Sequence, residues 1–502
     1  MAVRDHEPIT LENLKGLWQR GDPENVPLDH FEDCRNIKFV GNNFATRDGI
    51  GISQTVAVPL SSVKRIYNYP TQTANTLLIL VQNAGGSGEI YHVVNASTIF
   101  GPILTIPTMT DFAFIPYAGR AYITPFTSFT TGDINIQKGI SGQFLYVYKG
   151  DGTAARKAAG VAPVGALTIA NGAAGNTDGG KHLFAVIYET DSGFLTAPGV
   201  ITLFTTSPTF SVSFGTVPTS GSATVVKRHI VATKVITNYN GNTTGYQFFF
   251  IPTGTIPNNV DTFLNNISFF DADLLEDASH LIDNFAEIPA GCALTLYHNS
   301  LCLSTTFADI SLILVSSVGE PEAISQIDGL IVVPPDGNPI TNMQELRDIL
   351  YVFKRSRTVS YVDNEDVPSS WALSVIDNAL GCPVHGIATV LDSGSSIVDF
   401  LIITSYTGIQ LFNGRYVLPE LSFKIQDLWY GQNRNEFRRI QIVNAPIQKE
   451  IYCVLPNSGI LVGNYSNGID PKSIRWSPWA FDVTINSVAI VNIDKIIIGA
   501  DI

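Results

Sequence analysis

The stretch DFLIITSYTGIQLFNG, residues 399–414, has an apolar run, a Gly-bearing turn and a second alternating run. EIYCVLPNSGILVGNYS (450–466) repeats that grammar, and DILYVFKRSRTVSYVD (348–363) keeps it with a basic turn in the middle. Period-2 alternation between turn residues is a strand signal. CALTLYHNSLCLSTT (292–306) and, earlier, VKRIYNY (63–69), NTLLILVQN (75–83), GEIYHVVN (88–95), FAFIPYAGRAYITPF (112–126) and GQFLYVYKG (142–150) have the same texture. A weak repeat of about 40 residues with three or four strands per unit is the pattern of a β-propeller blade. A pair of packed sheets is the alternative arrangement, and no Gly-His…Trp-Asp blade signature is present.

Two regions depart from this rhythm. DGTAARKAAGVAPVGALTIANGAAGNTDGGK (151–181) is a small-residue tract that reads as a linker or an ordered loop. It leads into KHLFAVIYETDSGFLTAPG, PTFSVSFGTV, ATVVKRHIVATK, GYQFFFIPTG and NISFFDADL, which place strands at roughly ten-residue spacing. That is the pattern of a small β-sandwich, closed by DADLLEDASHLID (271–283), an acidic stretch with helical character. The expected organisation is an N-terminal arm (1–30), a first propeller part (31–164), an inserted sandwich (165–288) and a second propeller part (289–502). The count of units gives roughly seven blades, with the sandwich between the second and the third.

A propeller leaves few exposed edges when strands from both chain ends share a blade. The C-terminal run VAIVNIDKIIIGADI is too short for a whole blade. RNIKFV and FATRDG, near the N-terminus, are therefore expected to complete it, with Asn36, Ile37, Phe39, Arg47, Gly49, Ile497 and Ile498 at the closure.

Of the 502 residues, 45% are hydrophobic and only 15% charged, below the roughly 25% of an average soluble protein. Strands and large buried surfaces fit this mix better than helical bundles. The net charge of −14 argues against a protein that grips phosphate backbones. An acidic wall would let nucleic acid pass without retaining it. The five cysteines have no C-x-x-C spacing, which points to buried thiols in a reducing compartment. No apolar leader and no membrane-length apolar run is seen, so synthesis in a cytoplasm without membrane insertion is expected.

Catalytic patterns fail on their chemistry. GNTDGGKH (175–182) nearly matches a phosphate loop, but His182 replaces the Mg²⁺-binding hydroxyl and the flanks read as loop and strand. The histidines are scattered, and His298 and His385 read as structural residues in strand contexts. No G-x-S-x-G elbow occurs, and nothing selects a carboxylate pair among Asp392, Asp399, Asp427 and Glu436. The expectation is a protein that is not an enzyme, with no cofactor and no metal. The basic cluster Arg434, Arg438 and Arg439 is either a solvated strand end or a subunit contact. Trp476 and Trp479 are either core or one aromatic interface anchor. With Trp18 and Arg20 in the lead segment, these make up the candidate subunit interface.

GLWQRGDPENVPLDHFEDCRNIKFVGNNFATRDGI (16–50) resembles the opening of tail proteins from tailed bacteriophages. VGEPEAISQIDGLIVV (318–333), ITNMQELRDILYVFKRSRTVSYV (340–362) and YCVLPNSGILVGNYSNGIDPKSIRWSPWAF (452–481) are similar to later segments of the same proteins. The resemblance covers residues 11–60 and 290–502, and none of its motifs is catalytic. The family it resembles is the nozzle, or tail hub, of short-tailed phages. That implies a virion structural protein: a homohexameric ring bound to the adaptor and portal and to tail fibres or spikes, with double-stranded DNA leaving through its channel. A receptor- or glycan-binding propeller at the tail tip is the alternative.

Overall fold

The computed structural model describes residues 15–20, 27, 30–31, 33–40, 43–47, 62–71, 74–95, 98–131, 134–243, 245–259, 262–278, 287–325, 328–391, 398–414, 417–455, 458–491 and 495–501. Their regular structure is almost all β, with a few 3-10 turns and one short α-helix at Gln426–Tyr430. Among the described residues six antiparallel sheets carry four strands that follow one another in the chain: the first spans 62–106, the second 111–157, the third 293–332, the fourth 340–377, the fifth 387–420 and the sixth 441–479. In each, strands pair in chain order, so every unit is a meander; the second adds Ile134–Gly139 alongside Arg120–Thr131. A two-stranded hairpin, Thr484–Val491 with Lys495–Asp501, ends the chain.

The sheets succeed one another in a closed circle. Leu78, Leu80 and Ile90 of the first sheet share a buried cluster with Phe112 and Ile123 of the second. Tyr122 and Val147 of the second meet Leu301 and Leu303 of the third, and Cys302 of the third meets Leu350 and Val352 of the fourth. Tyr351 and Phe353 pack on Leu401 and Ile403, Ile402 and Leu411 on Ile451 and Cys453, and Tyr452 and Val454 on Ile485 and Val488. The C-terminal hairpin then meets the first sheet through Ala489, Ile66 and Ile79. Each sheet is thus covered on both faces, which explains why strands such as Glu450–Leu455 are buried at every position. This is a propeller-like ring.

Left-handed turns sharpen the hairpins. Ala118–Gly119, His298–Asn299 and Arg347–Asp348 all have positive φ and form two-residue loops between the first and second strands of the second, third and fourth sheets. Such loops match strand twist only with both central residues left-handed. Two of the three contain no glycine, so their turn chemistry is muted in the sequence.

Between the second and third sheets lies a two-sheet unit. Thr168–Ala174, Phe210–Gly215 and Leu264–Ile267 form one layer; Gly180–Thr190, Thr202–Thr206, Val225–Ala232 and Phe249–Pro257 form the other. Val212, Phe214 and Ile267 of the first layer pack on Phe184, Val186 and Ile230 of the second.

Several sequence expectations change. The small-residue tract is not a linker: Arg156–Lys157 is the fourth strand of the second sheet, and Thr168–Ala174 is a sandwich strand. Its strand character is hidden because Gly172 runs tight against its neighbours, where a Cβ would meet the Ser211 hydroxyl at 2.5 Å. The acidic stretch at 271–283 holds only a 3-10 turn, Asp271–Asp273, within the described residues. Arg434–Arg439 is a 3-10 turn leading into the sixth sheet, not a strand end.

The closure also differs. Ile37–Val40 and Asn43–Thr46 pair with each other and dock on Arg475–Trp479, the last strand of the sixth sheet, instead of completing the C-terminal hairpin. The Asn36 N–H donates to Pro478 O (2.9 Å), and the Ala480 N–H donates to Asn36 Oδ1 (2.9 Å). Among the described residues the C-terminal hairpin bridges the gap, because its alternate residues serve both neighbours: Ile497 faces the first sheet, and Ile496 and Ile498 face the sixth.

Candidate functional site on the ring axis

Connections into the first strands, and turns between second and third strands, share one end of the ring, here the upper mouth. Near it, five separate segments bring polar side chains together on the axis. Arg65, from the first sheet, makes a two-pronged ion pair with Asp111 at the start of the second: Nη2 to Oδ2 at 2.6 Å and Nε to Oδ1 at 3.1 Å. His385, in the connection into the fifth sheet, places Nε2 at 3.0 Å from Asp111 Oδ2, and its Nδ1 lies 2.5 Å from the Tyr67 hydroxyl. Arg65 Nη1 also donates to Gln441 Oε1 of the sixth sheet (3.2 Å). That oxygen accepts from the Ser487 hydroxyl (2.6 Å) and from the Val488 N–H (3.1 Å) of the C-terminal hairpin.

The charges follow from these neighbours. Burial alone would push the Asp111 carboxyl up, but Arg65 and His385 hold it well below the usual carboxylate range. Burial, with Arg65 close by, keeps the His385 imidazole below its ordinary value despite Asp111. A neutral ring with its proton on Nε2 donates to Asp111 and accepts from Tyr67 on Nδ1, which satisfies all three groups. Burial raises the Tyr67 phenol, so it stays protonated. A Tyr–His–Asp arrangement of this kind could relay a proton, yet here the carboxylate is saturated by Arg65 and the imidazole is stacked on Phe126 (5.9 Å between rings). Its evident work is to tie both ends of the ring together across its centre.

A second polar cluster fixes the sandwich. Arg156 of the second sheet donates to Asp191 Oδ1 (2.8 Å) in a sandwich turn and to both oxygens of Glu322 (2.8 and 2.9 Å) below the third sheet. Lys149 reaches Asp191 Oδ2 at 2.6 Å, and Ser192 donates to Glu322 Oε1 at 2.6 Å. Two of these partners, Arg156 and Glu322, are almost enclosed, so the junction is rigid.

The predicted interface residues separate. Trp476 is fully buried, with its indole N–H on Leu421 O (2.9 Å), so it belongs to the core and offers no outer surface. Trp479 is nearly buried and donates to Ile37 O (3.0 Å). Trp18 stands edge-on to His30 and Phe423, and the Arg20 guanidinium lies 3.4 Å above the Phe423 ring. This lead segment is held by Gly16, whose φ of +83° and close approach to the Trp476 backbone leave no room for a side chain. Arg439 bonds Glu436 (3.1 Å) and Asn486 (3.0 Å), while Arg438 lines a cavity at the upper mouth. The side chain of Arg434 lies outside the described residues.

At the closure, Arg47 donates to Asn36 Oδ1 (3.0 Å) and to Ala480 O (3.2 Å) and covers Phe481. Phe39 lies under the Arg475 guanidinium (4.7 Å), and Gly49 falls outside the described residues. Asp392 falls outside them too, as does the side chain of Asp399; Asp427 lies in the first turn of the short helix and Glu436 is held by Arg439.

The sequence reading missed Arg65, Tyr67, Asp111, Gln441 and Ser487. The available signal was a charge within a strand buried on both faces, as in VKRIYNY, but a strand pattern names no partner 46 or 376 residues away. All five cysteines are free and buried, and burial pushes the Cys34 and Cys292 thiols up to about 12, far from nucleophilic. The phosphate-loop look-alike leads into the strand Gly180–Thr190, with His182 buried on Thr233 O (2.7 Å). Among the described residues one group has metal-ligand proximity: His298, Glu345 and Asp348, with ligand atoms within 4.8 Å, at the opposite, lower mouth. Asp363 bonds the His298 ring (3.2 Å) and the His298 backbone N–H serves Glu345, which accounts for the group without an ion.

No protein-family model and no curated protein matches this sequence. Among solved structures, the chain is similar to Kluyveromyces lactis Hsv2 at 12% identity, covering 83% of this chain and 98% of that one, with a TM-score of 0.29. It is similar to apo AztD from Citrobacter koseri at 8% identity, over 83% and 88%, with a TM-score of 0.30. The phage phi92 endosialidase matches at 12% identity, over 88% of this chain and 62% of that one, with a TM-score of 0.25. These likenesses are remote, and the propeller-like fold rests on the circular order of the sheets themselves.

Proposed function

We propose that this protein is a non-enzymatic structural component of a phage virion, one subunit of an oligomeric tail ring of the nozzle or tail-hub type. The observation that carries the reading is a row of apolar side chains on the outer strands of neighbouring sheets: Val332 of the third is 71% exposed, and Leu373 and Val375 of the fourth are 43% and 47% exposed. An outer strand that presents apolar residues beside an unpaired edge is a surface made to be covered. The filled axis bears on where a channel could run: Arg65, Asp111 and His385 occupy the centre of each ring of sheets, so a DNA conduit would lie between subunits. A net charge of −14 suits such a wall. In this reading the ring joins the adaptor and portal on one side and fibres or spikes on the other, and DNA passes without sequence-specific contacts.

The test is particle mass and electron-microscopic imaging of the purified protein and of labelled virions. Six-fold rings that fall to monomers in a Leu373→Lys/Val375→Glu variant of unchanged melting temperature support the proposal. A wild-type monomer absent from virions overturns it.

One feature favours a second reading, recognition of a host surface. The sandwich has a cleft of about 680 Å³ beside Glu189, His229, Phe250 and Leu275, the last 82% exposed. Binding of the purified protein to host cells, lost in Phe250→Ala, would favour it over a conduit.

A further inference from the structure

The two most basic stretches of this acidic chain, Lys354–Arg357 and Arg434–Arg439, meet at the upper mouth. Arg355 sits in the turn between the second and third strands of the fourth sheet, and Arg438 in the 3-10 turn before the sixth. Both arginines line one cavity of about 50 Å³, with Gln137, Thr341, Tyr406 and Phe437. Gln137 is brought there by the long hairpin Arg120–Thr131/Ile134–Gly139, which reaches across the mouth to the Arg434–Arg439 turn.

Two of the neighbouring cations are paired internally. Lys354 is paired with Asp336 (2.9 Å), and Arg439 takes the carboxylate of Glu436. Arg355 and Arg438 differ: each is partly buried, and among the described residues neither meets a carboxylate within 4 Å. Arg355 lies 5.3 Å from the Tyr406 ring centroid, and Tyr406 is stacked on Phe437 at 5.0 Å. The loop that forms the floor is fixed, because Thr341 donates to Cys382 O and Asn342 donates to Val384 O (2.6 Å). Two arginines beside an aromatic wall, on a fixed floor and with no carboxylate partner among the described residues, suit an oxyanion.

We propose that this cavity binds a single carboxylate group. The cavity has space for a few waters, which is room for a carboxylate group. The stacked rings beside it favour a flat monoanion over a phosphate dianion, which costs more to strip of water. The inference stands independently of the tail-ring reading, since it concerns one chain.

The probe is acetate, with inorganic phosphate and chloride compared at matched ionic strength, read as the melting temperature of the full chain. The expected result is a saturable upward shift with acetate that exceeds those with phosphate and chloride. It should be lost in Arg438→Gln and in Arg355→Gln, and weakened at least tenfold in apparent affinity in Arg438→Lys, which keeps the charge and removes the fork. Should a Gln variant not fold, the Lys variant decides. A larger shift with phosphate overturns the carboxylate assignment; equal shifts for all three anions, or acetate binding undiminished in the variants, overturn the site.

Discussion

Replacing Asp111 by Asn tests the axial network most directly. The carboxylate is 8% exposed, holds Arg65 through two short contacts and receives His385 on the same oxygen. Asparagine keeps the shape but leaves the guanidinium, itself 3% exposed, without a counter-charge. Breaking one side of a buried pair typically costs about 3–5 kcal/mol, because the orphaned charge remains desolvated. A domain's whole net stability is only about 5–15 kcal/mol, so the ring should lose a large part of it. The assay is urea unfolding with two probes, since a chain with a ring and a sandwich need not unfold in one step. Hydrogen exchange in Ile451–Leu455 reports on the ring, and exchange in Phe184–Tyr188 reports on the sandwich. The ring transition should move to lower urea while the sandwich transition stays. Exchanging the pair together, Arg65→Met with Asp111→Leu, should recover most of the loss, because neither charge is then left buried alone. A ring transition shifted by less than about 1 kcal/mol in Asp111→Asn would refute the view that this network holds the closure.

Acid should weaken the ring through its buried histidines and Asp111. Burial lowers the His92 imidazole to about 4, and burial with Arg65 lowers His385, so the unfolded chain takes up protons at these sites before the folded one. Stability contributed by both is complete above the ordinary imidazole value near 6.5 and should fall as pH drops from there towards 4; Asp111 adds a further loss below about pH 4. Thermal melts across this window should show the decline, and His92→Gln should flatten its upper part. A pair of truncations separates the two chain ends: removing residues 484–502 strips Ile485, Val488 and Ala489 from two seams and should abolish cooperative unfolding of the ring, at roughly 1.5–3 kcal/mol per large buried aliphatic. Removing residues 1–47 uncovers Trp476 and Trp479 but leaves the circle of sheets, so a lower yet still cooperative melt is expected. Equal damage from both would show that the N-terminal hairpin shares the closure.

The sequence by itself determined the strand-rich class, the meander grammar of the units, the sandwich between the second and third of them and the burial of the cysteines. These are local properties: alternation, turn residues and apolar runs act within about ten residues. It placed the N-terminal hairpin near the C-terminal end of the ring as well, though against the wrong strand. The docking depends on Asn36 meeting Pro478 and Ala480, which no periodicity encodes. Only the tertiary structure decided that Ile497 and Ile498 serve two different sheets and so link the two ends of the circle. It alone joined Arg65 to Asp111, His385 and Gln441, and separated Trp476, sealed in the core, from Arg438 at an open mouth. The reason is physical. A buried charge is stable only where its partner stands within a few ångströms, and which residues reach the axis is set by how the sheets pack together.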